Sequence, residues 1–218
     1  MRQASSAYGA FLRLVQGGAL LLAICMAGPA LAADKFVLAF GDSLTAGYGL
    51  PQAQAFPTRL EVALRKAGVA ARVYNAGVSG DTSAAGRQRL GWVLRGVGVK
   101  PDLAIVELGA NDMLRGIKPA ETRTNLDAIL AEFQRRHIPV LLAGMRAAPN
   151  MGRAYAAQFE PIFPALARQY RVRLYPFFLN GVAANRALLQ ADGMHPNPQG
   201  VEIVVGHILP DVKAMLRP

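Results

Sequence analysis

Phe36-Val37-Leu38-Ala39-Phe40-Gly41 is an uninterrupted apolar run that ends at a glycine. A strand with one solvent-exposed face alternates apolar and polar residues, whereas a strand covered on both faces does not. Segments 103–108 and 140–144 are similarly apolar, and a glycine closes each of them. The three runs therefore predict neighbouring strands of a parallel sheet that is covered by helices on both faces.

Amphipathic stretches separate these runs and predict the covering helices. Helical spacing indicates helices at about 58–67, 83–94, 120–136, 154–170 and 198–214, and two further strands are expected at 71–75 and 172–175. Pro161 and Pro164 predict a kink or an interruption in the fourth of these helices. The pattern predicts one α/β domain over residues 33–218, a three-layer α/β/α sandwich around five strands.

The first 32 residues predict a secretory signal peptide rather than a part of this domain. Two arginines precede an apolar run at 19–27, and Ala30-Leu31-Ala32 provides the small residues of a cleavage site. We expect cleavage after Ala32 and a periplasmic or secreted mature protein. Retention of this segment as a membrane anchor and lipidation at Cys25 are the alternatives.

Cysteine content and charge exclude several classes of function. The single cysteine lies in the predicted signal peptide, so the mature chain has no thiol for a disulfide or a thiolate metal site. The formal net charge is +10, but the basic residues are scattered and no aromatic residues alternate with them. This distribution argues against nucleic-acid binding and is compatible with transient contact with an anionic membrane surface.

Polar residues follow the first three predicted strands and recur in one late loop. The segments are Gly41-Asp-Ser-Leu44, Asn75-Ala-Gly77, Gly109-Ala-Asn-Asp112 and Asp192-Gly-Met-His-Pro196. In doubly wound sheets, ligands bind outside the carboxyl ends of the strands. Each segment alone is weak evidence, but the strand order along the chain predicts that the first three meet at one edge of the sheet.

These segments contain every group that acyl transfer needs. Ser43 is the candidate nucleophile, His195 the base that removes its proton, and Asp192 the carboxylate that orients the imidazole. The backbone N–H of Ser43, the backbone N–H of Gly77 and the amide of Asn111 are candidate donors to an oxyanion. The residues thus predict a serine hydrolase that cleaves ester or thioester bonds, with no metal site.

The same residues resemble the SGNH, or GDSL-type, hydrolases. The four signature residues of that family correspond to Ser43, Gly77, Asn111 and His195, and Asp192 corresponds to its acidic residue. The resemblance extends over the mature chain and is strongest to the periplasmic bacterial enzymes described as arylesterase, acyl-CoA thioesterase and lysophospholipase. It implies a flavodoxin-like sheet of order 2-1-3-4-5, no cofactor, and a small-molecule acyl ester, thioester or lysophospholipid substrate. We also expect a monomer.

By the same resemblance, the loop from Met113 to Pro119 borders the acyl-binding groove and moves when substrate binds. Met113, Leu114, Ile117 and Pro119 are the expected substrate-binding residues. Two other functions stay open at this point. One is a carbohydrate O-deacetylase with the same chemistry, and the other is a non-catalytic flavodoxin-like binding protein.

Other candidate residues have simpler explanations. His137 follows two arginines at a predicted helix end and His207 lies on the last helix, so both are expected to be structural or solvated. Ser79 lies in Gly77-Val-Ser-Gly80, which lacks the final glycine of a nucleophile elbow. Asp42 is expected to orient the loop of Ser43 without contacting substrate.

Overall fold

A computed structural model describes residues 34–217 and contains one five-stranded parallel sheet. The strands are β1 (Lys35–Gly41), β2 (Ala71–Gly77), β3 (Leu103–Glu107), β4 (Val140–Ala143) and β5 (Arg173–Tyr175). Their order is β2-β1-β3-β4-β5, and every pair is parallel. The predicted fold class and strand order are confirmed, whereas the predicted signal peptide lies outside the described residues.

Helices cover both faces of this sheet. They are α1 (Ser43–Ala46), α2 (Phe56–Lys66), α3 (Ser83–Gly96), α4 (Ala110–Leu114), α5 (Pro119–Arg135), α6 (Arg153–Phe159), α7 (Ile162–Tyr170) and α8 (Pro198–Leu216). The central strands β1, β3 and β4 are buried along almost their whole length, which explains their apolar sequences. Within residues 34–217, no helix is both long and apolar enough to cross a bilayer.

Local capping explains where the longer helices begin. The Thr82 side chain accepts a hydrogen bond from Ala85 N–H at the start of α3, and Asn197 accepts one from Gly200 N–H at the start of α8. Proline occupies the first position of α5 and of α8, where its missing N–H costs nothing. These caps fix the end of each helix that faces the carboxyl edge of the sheet.

The predicted helix over 154–170 is two helices, and the predicted loop over 113–119 is partly helical. The chain breaks between α6 and α7 at Glu160 and Pro161, the interruption that the prolines predict. Met113 and Leu114 form the last turn of α4, and Pro119 is the first residue of α5. A helix of five residues is too short to show a periodic pattern, so the sequence analysis missed α4.

A buried carboxylate joins the three helices next to the carboxyl end of β3. Asp112 accepts hydrogen bonds from Ser83 N–H at 2.7 Å, from Ser83 Oγ at 2.5 Å and from Thr122 Oγ1 at 3.0 Å. These bonds connect the first turns of α3 and α5 to α4, and Asp112 itself is fully buried. The adjacent residue, Asn111, is therefore held on a rigid support at the edge of the sheet.

Candidate active site

The nucleophile candidate lies on a tight turn between β1 and α1. Asp42 Oδ1 accepts a hydrogen bond from Leu44 N–H at 3.0 Å and caps α1, so Ser43 becomes the first residue of that helix. Gly41 leaves no room for a side chain, because a Cβ there would lie 2.1 Å from Thr45 Oγ1 and 2.6 Å from the carbonyl oxygen of Glu107. Thr45 and Glu107 pack against this turn, and this packing fixes the position of Ser43.

The late loop brings an imidazole to this serine. His195 Nε2 lies 2.9 Å from Ser43 Oγ, and His195 Nδ1 lies 2.6 Å from Asp192 Oδ2. The other oxygen of Asp192 accepts hydrogen bonds from Met194 N–H at 2.9 Å and from His195 N–H at 3.0 Å. The structure thus brings together the three residues that the sequence predicts as nucleophile, base and orienting carboxylate.

The hydrogen bonds to Asp192 keep it ionised. Partial burial raises the pKa of this carboxyl group, but hydrogen bonds from Met194 N–H, from the His195 ring and from His195 N–H outweigh burial and lower the pKa to about 2. An ionised Asp192 accepts a hydrogen bond from the Nδ1–H of His195, so Nε2 is the unprotonated nitrogen and its lone pair is directed at Ser43 Oγ. This arrangement suits general-base activation of a serine.

The loop of His195 is closed by a short antiparallel bridge between Leu189 and Pro196. Gln190 strengthens it, because Gln190 Nε2 donates to the carbonyl oxygens of Tyr48 at 2.7 Å and Pro196 at 3.0 Å. The Tyr48 ring also packs on the imidazole, with 4.6 Å between the two ring centroids. The sequence predicts the extended loop but not the contact with Tyr48, because a tyrosine flanked by glycines carries no signal of such packing.

Asn111 and Asp42 are hydrogen bonded to each other. Asn111 Nδ2 donates to Asp42 Oδ2 at 3.1 Å, which leaves the second N–H of this amide for another acceptor. Burial raises the pKa of Asp42 to about 6, although the bonds from Leu44 N–H and Asn111 offset part of the effect of burial. At neutral pH Asp42 is ionised and orients Asn111, as well as capping α1.

The expectation that Gly77 is an oxyanion donor is not supported by its hydrogen bonds. Gly77 N–H already donates to Asn75 Oδ1 at 3.0 Å. A Cβ at position 77 would lie 2.3 Å from the backbone nitrogen of Ala46, so a glycine here lets β2 pack closely against α1. Gly77 therefore has a packing role, which a search for turn glycines cannot distinguish from a binding role.

Gly80 is the glycine of the same loop that sequence analysis overlooked. Its φ of +86° belongs to the left-handed region, and its N–H forms no hydrogen bond within the described residues 34–217. The loop lies beside the nucleophile turn, because Val78 N–H donates to the carbonyl oxygen of Gly41 at 3.0 Å. Arg115 Nη2 donates to the Gly80 carbonyl oxygen at 2.7 Å and fixes the loop from the other side.

The four expected substrate-binding residues differ in exposure. Leu114 is 51% exposed, whereas Met113 is 6% exposed and belongs to the hydrophobic core. Ile117 and Pro119 are half-buried, and the Ile117 carbonyl oxygen accepts a hydrogen bond from the Tyr155 hydroxyl at 2.8 Å. Of the four, Leu114 is the residue that offers an exposed apolar side chain to a substrate. Met113 packs in the core from the last turn of α4, so its role in substrate binding stays a prediction.

No group of three His, Cys, Asp or Glu side chains within residues 34–217 is arranged to hold a metal ion. The serine, imidazole and carboxylate of the site have the geometry of acyl transfer.

Comparison with known proteins agrees with this geometry. The GDSL-like Lipase/Acylhydrolase family matches residues 39–203, a range that contains every candidate site residue. Esterase TesA of Pseudomonas aeruginosa is 38% identical over 201 residues, which are 91% of this chain and 99% of that protein. Thioesterase 1/protease 1/lysophospholipase L1 of Escherichia coli K12 is 39% identical over 168 residues, 77% of this chain and 78% of that protein.

A solved structure gives the same result for the fold. The crystal structure of AlinE4, an esterase of the SGNH-hydrolase family, is 52% identical in sequence, with a TM-score of 0.73. The match covers 87% of this chain and 100% of AlinE4.

Proposed function

This chain belongs to the GDSL-like Lipase/Acylhydrolase family and is a serine esterase, and from that premise we propose its mechanism and its substrates. It hydrolyses carboxylic ester and thioester bonds of acyl substrates through an acyl-enzyme on Ser43. The observation that carries this proposal is the pair of contacts from His195, 2.9 Å to Ser43 Oγ and 2.6 Å to Asp192.

The reaction follows from these contacts. His195 Nε2 removes the proton of Ser43 Oγ as the oxygen attacks the substrate carbonyl carbon, and Asp192 stabilises the imidazolium that forms. Collapse of the tetrahedral intermediate breaks the bond to the alcohol or thiol, which takes the proton from His195. His195 Nε2 then removes a proton from a water molecule as that water attacks the carbonyl carbon of the acyl-enzyme. The second tetrahedral intermediate collapses, the bond to Ser43 Oγ breaks, Ser43 regains its proton from His195, and the acid is released.

Three N–H groups are proposed to bind the oxyanion. Ser43 N–H is the first of α1 and has no acceptor within that helix, and Asn111 has an amide N–H that Asp42 does not use. We assign the third donor to Gly80, because its N–H is unpaired within the described part of the chain and that of Gly77 is not. Together they would stabilise negative charge where it develops.

Asn111→Ala is expected to lower kcat by about 100-fold or more while KM changes little, because one oxyanion donor acts mainly in the transition state. Steady-state kinetics with a p-nitrophenyl ester measures both constants. Asn150→Ala, in an exposed 3-10 turn, is the matched control and should keep normal kinetics. Near-normal kcat in Asn111→Ala would remove Asn111 from this role.

An acyl chain is the substrate group that the surroundings of the site favour. Tyr48, Val78, Leu114 and Met194 are each between 44% and 52% exposed, and each lies on a segment that also carries a site residue or borders one. Apolar side chains exposed in this way suit an apolar substrate portion. The E. coli relative is named for thioesters and lysophospholipids, and we propose both classes for this chain.

Hydrolysis of p-nitrophenyl esters of increasing acyl length tests this substrate class. We expect kcat/KM to rise from acetate to medium-length chains, and we expect an acyl thioester and a lysophospholipid to be cleaved as well. A sharp decline beyond acetate would favour an O-deacetylase, and the absence of turnover on every substrate would favour a binding protein.

The proposal also includes export of the enzyme from the cytoplasm. We propose that residues 1–32 are removed after Ala32 and that the mature enzyme works in the periplasm or outside the cell, as a monomer. The full chain has a formal net charge of +10, and removal of Arg2 and Arg13 with the first 32 residues leaves the mature enzyme at +8, which would favour transient contact with anionic membranes that hold lipid substrates. Amino-terminal sequencing of the exported protein tests the cleavage site.

A further inference from the structure

A fully buried carboxyl group lies directly beneath the nucleophile turn. Glu107, the last residue of β3, has no solvent exposure. Its Oε2 accepts hydrogen bonds from Thr45 Oγ1 at 2.8 Å and, more weakly, from Asp42 N–H at 3.4 Å. Its Oε1 has no hydrogen-bond partner within residues 34–217. The esterase mechanism described above makes no use of this side chain.

Among the described residues 34–217, no cation pairs with Glu107. Arg89 is the nearby guanidinium, but it pairs with Asp81 and donates to the carbonyl oxygen of Gly41 instead. The other close carboxylate, Asp42, is itself buried and accepts hydrogen bonds on both oxygens, as an ionised group does. A second buried negative charge beside it, without a cation, would be strongly disfavoured, because its desolvation would not be compensated by an ion pair.

The hydrogen bonds also indicate where a proton lies on Glu107. Oε2 accepts from two donors and behaves as a carbonyl oxygen, so the proton of a neutral acid belongs on Oε1. Burial, and then the charge of Asp42, raise the pKa of Glu107 well above its ordinary value, and the bond from Thr45 offsets only a part. Burial, the charge of Asp42 and the lack of any donor to the buried Oε1 within residues 34–217 therefore all favour a neutral Glu107 at neutral pH.

We propose that Glu107 is a positioning residue that holds the Asp42–Thr45 turn as a neutral acid, so that Asp42 can stay ionised and orient Asn111. The inference rests on the proposed function, because it assigns Glu107 a task in the same active site. Contacts run from Glu107 to the backbone of Asp42 and the hydroxyl of Thr45, and from Asp42 to the amide of Asn111. Because Glu107 is neutral, the neighbouring carboxyl group of Asp42 can be charged.

Glu107→Gln and Glu107→Leu test this inference. Glutamine keeps the acceptor oxygen and the neutrality of the acid, so we expect kcat within about threefold of the wild type. Leucine removes the acceptor, so we expect kcat to fall by about tenfold or more with KM nearly unchanged, since Ser43 and Asn111 would be less well placed. Glu121→Gln, on the exposed first turn of α5, is the control and should leave kcat unchanged.

Infrared spectroscopy at pH 7 reports whether Glu107 is protonated. A purely structural role of the side chain would not require this protonation. We expect the wild type to show the carbonyl stretch of one buried protonated carboxyl group, and we expect that band to be absent from Glu107→Gln. Thr45→Val removes the hydroxyl that donates to Glu107, and we expect this variant to lower kcat severalfold. It tests the same contact if Glu107→Leu does not fold.

Three results would each overturn the proposal: Glu107→Gln as impaired as Glu107→Leu, a normal kcat in both Glu107→Leu and Thr45→Val, or no protonated-carboxyl band in the wild type. None of these would affect the assignment of the esterase, which depends on turnover by the wild type. If instead the wild type itself showed no turnover, the proposed function would fail first.

Discussion

Replacing Ser43 with alanine is expected to abolish labelling by a fluorophosphonate probe and to lower kcat by on the order of 10⁴-fold or more. The reason is that His195 Nε2 lies 2.9 Å from Ser43 Oγ, so removal of this oxygen leaves the base with nothing to activate. The residual rate would come from oxyanion donors acting on a water molecule. Mass spectrometry of the labelled peptide and steady-state kinetics measure the two effects.

Ser79→Ala is the matched control for this experiment. Ser79 is an exposed serine in the loop after β2, close in sequence to the candidate donor Gly80. We expect its alanine variant to be labelled and to hydrolyse esters at the normal rate. Labelling that persists in Ser43→Ala, or that disappears in Ser79→Ala, would contradict the assignment of the nucleophile.

Asp192→Asn is expected to lower kcat by on the order of 10³-fold at neutral pH, with a smaller change in KM. An asparagine can still accept the backbone hydrogen bonds of residues 194 and 195, but its amide cannot stabilise an imidazolium or hold its tautomer as a carboxylate does. The serine would remain in place without an efficient base. Kinetics over a range of pH, with circular dichroism to verify folding, measure the effect.

The contribution of ionised Asp192 to the stability of the fold is present at neutral pH and is lost at low pH. The folded-state pKa is about 2 and lies below the ordinary value of 3.8, so the ionised form is stabilised by folding. That stabilisation is complete above about pH 4 and is lost as the pH falls through about 2. Activity lost well above pH 4 would therefore have a cause other than protonation of Asp192.

Asp211→Asn is the control for the aspartate variant. Asp211 pairs with Arg173 at the amino end of β5, whereas the site residues follow the carboxyl ends of β1 and β3. We expect this variant to keep normal kcat. An equal loss of activity in both variants would indicate damage to the fold rather than to catalysis.

The sheet could be predicted because its burial leaves a direct trace in the sequence. The runs of β1 and β3 have no polar alternation, and the glycine at the end of each marks where the chain leaves the sheet. Ser43 could be predicted because it directly follows a predicted strand, and Asp192 and His195 because they lie in an Asp-x-x-His loop that resembles the SGNH signature. Their positions in the predicted fold indicated that they would meet at the carboxyl edge of the sheet, and the structure gives the distances between their side chains.

Other features of the site depend on contacts that spacing does not encode. Whether the N–H of Gly77 or of Gly80 is available depends on one side chain, Asn75, which accepts the bond from Gly77. The direction of Met113 depends on α4, which is too short to leave a periodic pattern. The buried state of Glu107 was equally invisible, because a single acidic residue within an apolar run does not reveal its partners.

The nucleophile and its base are separated by 152 positions in the chain. A ribosome adds residues in order, so the serine emerges long before the imidazole that activates it. Until almost the last helix has been synthesised, the nascent polypeptide carries an inert hydroxyl group. An incomplete chain therefore cannot form the contact between Ser43 and His195 on which activation of the nucleophile depends.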